Sequence, residues 1–170
     1  MRYKWMDYTK NDKETVESWL DSEAVKYTGC DDGWDQFVEY WINEPDMVLN
    51  GNFFVKVIMD GGMAVGAMAI FLEKEKAYIQ EFIVSPERRG MGTGSSILRE
   101  FLQDGEHIIG QQIEYAEACI FPSNLSSQRA FEKAGFRYSH AHPDGDAWYY
   151  EYRRGDLSGM VIAGRSSVEK

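Results

Sequence analysis

IVSPERRGMGTGS, residues 83–95, leads from a predicted β-strand into a predicted α-helix. Three glycines at alternate positions allow the backbone to approach a ligand without a Cβ clash. Free N–H groups at the start of the following helix attract anions, and Arg88 and Arg89 add positive charge at the rim. The stretch therefore predicts a loop that binds the pyrophosphate of a nucleotide-bearing cofactor.

The glycine spacing excludes two better-known phosphate loops. No Gly-Lys-Ser/Thr ending follows the glycines, so the stretch is not a P-loop. The spacing Gly-x-Gly-x-Gly, with no βαβ unit before it, also argues against a dinucleotide-binding fold. A loop that binds nothing is the alternative, and the joint occurrence of strand, arginines, glycines and amphipathic helix disfavours it.

Hydrophobic periodicity places this loop in a mixed α/β chain. Turn residues at 60–62 and 73–76 separate three of the strands, and Asn124 and Gly135 are the expected caps of the last helix. The predicted strands are 3–8, 52–59, 63–72, 77–84, 113–121, 136–141 and 147–153, and the predicted helices are 13–21, 35–43, 92–103 and 125–134.

Length and composition fit a single domain. The chain has 170 residues, of which 44% are hydrophobic, and this suffices for a core without disulfides or metal. We expect one domain over residues 1–157 and a frayed tail over 158–170. No apolar run is long enough to cross a bilayer and the first residues do not resemble a signal peptide, so a cytoplasmic protein without membrane contact is expected.

Charge and side-chain chemistry limit the classes of partner and metal site that the sequence predicts. The net charge of −10, with no basic stripe, argues against nucleic acid and suits a cationic partner, although solubility alone explains it. Cys30 and Cys119 are far apart, and the apolar surroundings of Cys119 predict a buried, inert thiol. The three histidines show no metal-ligand spacing, so no metal site is predicted.

Two motifs resemble a known family. Residues 89–94, RGMGTG, match the acetyl-CoA signature of the GNAT N-acetyltransferases, Arg/Gln-x-x-Gly-x-Gly/Ala, and the preceding Val-Ser-Pro resembles that family's strand exit. Residues 124–136, NLSSQRAFEKAGF, resemble the family's later Asn-x-x-Ser segment that ends in Gly-Phe. The order of elements also fits, over roughly residues 1–154.

This resemblance implies an α/β GNAT fold, in which a central, mostly antiparallel sheet splays between its fourth and fifth strands and carries helices on both faces. It implies acetyl-CoA as cofactor, direct acetyl transfer to a primary amine, and compatibility with a homodimer. The cofactor residues that it implies are Phe82, Ile83, Val84, Arg88, Arg89, Gly90, Met91, Gly92, Thr93, Gly94, Ser95, Asn124, Ser127, Phe131 and Lys133.

The acid and base positions depart from the family pattern. Gln80 stands where the family's strand most often carries an acidic base, so the neighbouring Glu81 is the predicted carboxylate; a solvated or salt-bridged glutamate is the alternative. The two side chains point to opposite faces unless a bulge intervenes. Phe131 replaces the family's tyrosine acid, which leaves water, Tyr138 or Ser127 as proton donors.

The sequence specifies the acceptor molecule less closely than it specifies the cofactor. Residues 17–29 and 143–153 resemble parts of aminoglycoside 6′-N-acetyltransferases, and the strand 78–84 is similar to that of polyamine acetyltransferases. A small cationic amine is therefore expected, with Trp34, Asp35 and Glu81 as candidate contacts; a helix N-cap with solvated charges is the preferred alternative for 31–35. An acyl-CoA sensor and a protein N-terminal or lysine acetyltransferase remain alternatives.

Overall fold

The computed structural model describes residues 1–44 and 52–155, so the predicted tail at 158–170 lies outside the described residues. Within them the strands and helices follow the predicted order. The strands are β1 (Lys4–Asp7), β2 (Phe53–Asp60), β3 (Met63–Glu73), β4 (Lys76–Val84), β5 (Tyr115–Ile120), β6 (Arg137–Ala141) and β7 (Trp148–Arg153). The helices are α1 (Lys13–Glu17), α2 (Ser22–Tyr27), α3 (Trp34–Asn43), α4 (Thr93–Ile109) and α5 (Leu125–Ala134).

The seven strands form one sheet in the order β1-β2-β3-β4-β5-β7-β6. Every neighbouring pair is antiparallel except β4 and β5, which run parallel. Gly61 and Gly62, with φ of +58° and +88°, form the predicted two-residue turn between β2 and β3. The predicted fold class is confirmed.

Helices cover both faces of the sheet because its central strands are apolar on both sides. One core lies between the sheet and the helices α4 and α5, and includes Met68, Leu98 and Phe101. The other lies beneath α1 and α3, and includes Val16 and Trp34. The strand β4 contributes residues to both cores, and β5 contributes residues to the first.

Two helix predictions were wrong in extent. The predicted helix 13–21 ends as α1 at Glu17, and a separate helix, α2, starts after Asp21, whose carboxylate accepts a hydrogen bond from Ala24 N at 2.8 Å. This N-cap supplies a partner for a backbone group that a short helix leaves free. The helix α4 runs to Ile109, six residues beyond the predicted end, through a kink at Asp104.

Candidate active site

The sheet splays between β4 and β5. Their parallel pairing ends at Ile79 opposite Ala118, whereas β4 continues to Val84 and β5 to Ile120. Beyond the last pair, the edge of each strand that faces the other is left without a neighbouring strand. A cavity of about 510 Å³ lies in this opening, so the predicted splay is confirmed.

A β-bulge at Gln80 brings two polar side chains to the inner end of the cavity. Ala69 of β3 pairs with Glu81 and Ile70 pairs with Ile79, which leaves Gln80 as the extra residue. Ala69 and Ile70 lie in opposite cores, so their partners Glu81 and Ile79 point to opposite faces, which strict alternation would forbid. The bulge thus breaks the alternation between Gln80 and Glu81, and both residues line the cavity. The bulge therefore resolves the alternative that the sequence left open.

Glu81 occupies an apolar, partly shielded position. Its Oε1 accepts a hydrogen bond from Gly29 N at 2.6 Å. Burial raises the pKa of the Glu81 carboxyl to about 7, because desolvation disfavours the charged form, and the Gly29 bond offsets part of that rise. A carboxyl with this pKa can hold or release a proton near neutrality, as a general base must.

The glycine loop has the conformation of an anion site. Gly90 and Gly92 have φ of +74° and +79°, which L side chains rarely adopt. The first backbone bond into α4 runs from Ser96 N to Gly92 O at 3.0 Å, so the N–H groups just before Ser96 precede the helical ladder. A Cβ on Gly94 would lie 3.6–3.7 Å from side chains of the cavity wall, among them Phe82. A methyl group would fit there, but a longer side chain would enter the space beside Phe82. The positive φ angles and the free N–H groups make the loop suitable for a pyrophosphate.

The two loop arginines are already paired, which corrects the prediction that they supply free charge at the rim. The Arg89 guanidinium donates to Asp21 Oδ2, to Trp19 O at 2.9 Å and to Val84 O at 3.0 Å. Arg88 forms an ion pair with Asp60 at 3.3 Å. Arg89 thus ties the start of α2 to the end of β4.

Free positive charge in the cavity comes instead from α5. Arg129 and Lys133 are one helical turn apart, both are exposed, and both line the cavity. Within residues 1–44 and 52–155, neither side chain has a carboxylate partner. The sequence had indicated Lys133 but missed Arg129, which the i, i+4 spacing from Lys133 could have revealed.

The helix α5 begins and ends as predicted. Asn124 Oδ1 caps it by accepting from Ser127 N at 3.1 Å, and Gly135 ends it with φ of +108°. Phe131 is only 3% exposed, and its ring contacts those of Phe82 and Phe136. Phe131 therefore forms an apolar wall under the cavity.

Nearly all the predicted cofactor residues meet in this cavity. Met91 is the exception, because it is 73% exposed and does not line the cavity. Those that line it are Phe82, Ile83, Val84, Arg88, Arg89, Gly90, Gly92, Thr93, Gly94, Ser95, Asn124, Ser127, Phe131 and Lys133.

Two predicted acceptor contacts were wrong. Trp34 is 0% exposed and packs its ring against Tyr8 and Phe37, so it cannot stack on an acceptor. Asp35 is 6% exposed and is held by the Tyr8 hydroxyl at 3.2 Å and by Lys13 at 3.4 Å. The start of α3 thus belongs to the core.

Tyr138 and Cys119 also lie where the sequence did not place them. Tyr138 lies on β6, where its ring packs against Trp148 and Tyr150, and it does not line the cavity. It is therefore not positioned as a proton donor. Cys119, predicted to be buried, is exposed and lines the cavity, whereas Cys30 is buried.

The helix α2 contributes lining residues that the sequence did not indicate: Glu23, Ala24, Tyr27 and Thr28. Two residues after the end of α2, Gly29 N donates to Glu81, so α2 lies beside the bulge of β4. The signal was Asp21 followed by Ser-Glu-Ala, a helix start that the preceding apolar pattern obscured. The cavity thus has two walls. The wall formed by the glycine loop, α4 and α5 carries most of the predicted cofactor residues and is here called the cofactor wall, and the wall formed by α2 and the bulge is here called the acceptor wall.

The model of the acetyltransferase (GNAT) family matches residues 13–136, more than half of the chain. The chain belongs to the GNAT acetyltransferase family. The predictions that it is an acyltransferase and that its cofactor is acetyl-CoA are thereby confirmed. No curated protein is similar enough in sequence to match it.

Solved structures share the fold of this GNAT chain at low identity. One is aminoglycoside acetyltransferase AAC(6')-Ib in complex with paromomycin and acetyl-CoA, with TM-score 0.70, 19% identity, and coverage of 98% of this chain and 100% of that chain. Another is spermidine N-acetyltransferase from Vibrio cholerae with CoA and spermine, with TM-score 0.70, 12% identity, and coverage of 92% and 98%. Among the described residues, no helix has the length and apolar character that crossing a bilayer requires.

Proposed function

We propose that this acetyltransferase moves an acetyl group from acetyl-CoA directly to a primary amine of a small cationic molecule, aminoglycoside-like or a polyamine. The observation that carries the proposal is the Glu81 carboxylate, placed by the bulge at the inner end of the splay with a pKa of about 7. A carboxylate at this position both attracts a cation and accepts a proton.

The donor is held by the cofactor wall. Backbone N–H groups at the start of α4 bind the pyrophosphate, and Arg129 and Lys133 add the charge that the paired loop arginines do not. When bound, acetyl-CoA supplies the acetyl group as a thioester. The Asn124 amide nitrogen remains available to the cofactor, because the cap uses only its oxygen.

The acceptor amine arrives protonated at neutral pH and must lose a proton before it can attack. Glu81 accepts that proton, directly or through one water. The approach of a cationic amine lowers the pKa of Glu81 again, because an opposite charge favours the carboxylate. Glu23, on the adjacent helix α2, adds a second negative charge to the same cavity.

The proton needed at the departing sulfur does not come from Phe131, which has no hydroxyl. Among the sequence candidates, Ser127 lines the cavity and Tyr138 does not. Ser127 or water therefore supplies this proton. A Ser127→Ala variant that keeps its full rate would leave water as the donor.

An acceptor screen tests the proposal. Release of free CoA thiol is measured with kanamycin, paromomycin, spermidine, spermine and a lysine-containing peptide, while acetyl-CoA affinity is measured separately by calorimetry. We expect turnover with at least one aminoglycoside or polyamine. Turnover confined to the peptide would favour the protein acetyltransferase, and tight acetyl-CoA binding without turnover of any amine would contradict the proposed acceptor class.

A further inference from the structure

The side chain of Tyr27 crosses the splay. Tyr27 is the last residue of α2, on the acceptor wall, yet its hydroxyl donates to the carbonyl oxygen of Ser123 at 3.2 Å. Its ring lies against Phe121, with the ring centroids 6.1 Å apart and the planes tilted by 44°. Both rings line the cavity, so the contact joins its two sides.

The helix that carries Tyr27 is fixed to β4 at both ends. Before its start, Asp21 pairs with Arg89, which also binds Val84 O at the end of β4. After its end, Gly29 N donates to Glu81 in the middle of β4. The helix α2 therefore stays with β4, and the Tyr27 side chain extends from it to the other strand.

The Ser123 end of the contact lies at the start of α5. Ser123 follows the end of β5 and immediately precedes Asn124, the cap of α5. The bond accepted by Ser123 thus connects the acceptor helix to the segment that leads into the cofactor wall. Lys26 Nζ lies 5.0 Å from the Tyr27 ring centroid and adds a cation–π contact.

A side chain that bridges a cleft decides what can enter it. Without the bridge, the opening between α2 and the end of β5 would be a groove that an extended chain could lie along. With it, the opening is bounded at this point, and an extended main chain cannot lie along the groove unless the tyrosine moves.

We propose that the Tyr27 side chain and its bond to Ser123, here called the strap, determine acceptor specificity by admitting small free amines and excluding amines carried on an extended polypeptide chain. The proposal rests on the proposed function, in which a primary amine enters the cavity and gives its proton to Glu81. It makes Tyr27 a specificity-determining residue, and proton transfer stays with Glu81.

Two variants separate the parts of the strap. Tyr27→Phe removes only the hydroxyl that binds Ser123, and Tyr27→Ala removes the ring as well. Tyr40→Ala is the matched control, because Tyr40 is 63% exposed on α3 and does not line the cavity. Each is tested with spermidine and with a lysine-containing peptide of about twelve residues, by turnover and by equilibrium binding to the CoA complex.

For wild type, we expect kcat/KM to favour spermidine. Tyr27→Ala should reduce that preference at least tenfold, through a lower KM for the peptide at similar kcat, and Tyr27→Phe should lie between. Acetyl-CoA affinity should stay within about twofold in all variants. An unchanged preference in a folded Tyr27→Ala protein would overturn the strap, as would a kcat loss equal for both acceptors.

Binding keeps this test apart from that of the proposed function. If wild type acetylates none of the amines, the proposed function fails, but the ratio of spermidine to peptide affinity still reports on the strap. A ratio that falls at least tenfold in Tyr27→Ala supports it. A ratio unchanged by the substitution, or binding of neither amine to any variant, overturns it.

Discussion

The cofactor wall of the cleft is nearly continuous in sequence, whereas the acceptor wall is assembled from distant segments. The loop after β4 leads directly into α4, and two of its residues have positive φ angles that favour glycine. The acceptor wall needs α2, a bulge in β4 and the Gly29–Glu81 hydrogen bond, which spans 52 residues. A motif can thus specify the donor while the acceptor depends on packing.

Arg89 shows how the two walls depend on each other. By sequence it opens the acetyl-CoA signature, yet its guanidinium holds Asp21 and Trp19 O on the acceptor side. The most recognisable residue of the cofactor motif therefore positions α2. This difference can be tested from both sides of the cleft.

The largest effect is expected on the cofactor wall. Gly94→Leu should weaken acetyl-CoA binding by more than about 100-fold, or about 2.7 kcal/mol. The branched side chain would fill the space beside Phe82 and Val84 that the cofactor needs. Calorimetry with acetyl-CoA measures this. Gly94→Ala is the graded control, since a lone Cβ there meets only ordinary contact distances. Equal affinities for the leucine variant and wild type would show that the cofactor lies elsewhere.

Glu81→Gln should slow acetyl transfer by about 100-fold at pH 8, the usual size of a general-base contribution. Only the ionised carboxylate accepts a proton, so wild-type activity rises with pH through the Glu81 pKa of about 7. Ionisation of the amine affects both proteins alike, and the wild-type to variant rate ratio should therefore rise from pH 6 to pH 8 and then level off.

The exposed Glu87, which does not line the cavity, provides the matched control. Glu87→Gln should keep the wild-type rate across this pH range. A rate ratio for Glu81→Gln that stays flat with pH would remove this residue from proton transfer, whatever its position.

Glu81→Gln should also change the free energy of unfolding, by an amount that depends on pH. The pKa of Glu81 is raised from 4.5 in the reference state to about 7 in the fold, so between these values the folded protein binds more protons than the unfolded chain. Its free energy of unfolding therefore falls as pH rises through this window. Glu81→Gln should gain about 1–3 kcal/mol on wild type between pH 4.5 and pH 7, with no further gain above it. Denaturant unfolding at several pH values measures this, and a constant difference would contradict the raised pKa.

The smallest effect is expected for Arg89, whose substitution compares amine binding at the acceptor wall with acetyl-CoA binding at the cofactor wall. Arg89→Ala should raise the KM for the amine about tenfold, equivalent to about 1.4 kcal/mol, and change acetyl-CoA affinity less, because the lost bonds hold α2. Arg89→Lys keeps the charge but cannot make the three bonds. It should therefore behave like the alanine variant. A lysine variant with wild-type kinetics, or a larger loss of acetyl-CoA affinity than of amine binding, would mean that the charge serves the cofactor.

The sequence predicted the sheet and the glycine loop because each leaves a local trace, whereas the splay and the cofactor residues were implied by the resemblance to the family. Alternating apolar runs mark strands, and Asn124 and Gly135 mark the ends of α5. Gly90 and Gly92 mark a backbone conformation that glycine adopts without strain. Such features depend on neighbours along the chain, so they can be recognised without knowing the fold.

The acceptor side could not be predicted in this way. The aromatic and acidic pattern at 31–35 is the same whether Trp34 faces solvent or the core, and only the packing of α3 on the sheet buries it. The faces of Gln80 and Glu81 depended on a bulge that is visible only in the pairing with β3. Tyr27 meets Ser123 across 96 residues.

The sequence by itself determined the fold class and a glycine-rich loop suited to an anion, since periodic burial and short-range backbone geometry encode them, and its two motifs carried the resemblance to the family. The tertiary structure alone decided which carboxylate faces the cavity, where the loop arginines are paired, and which side chain crosses the cleft. These depend on distances between segments that the chain brings together only when the two cores close on the sheet.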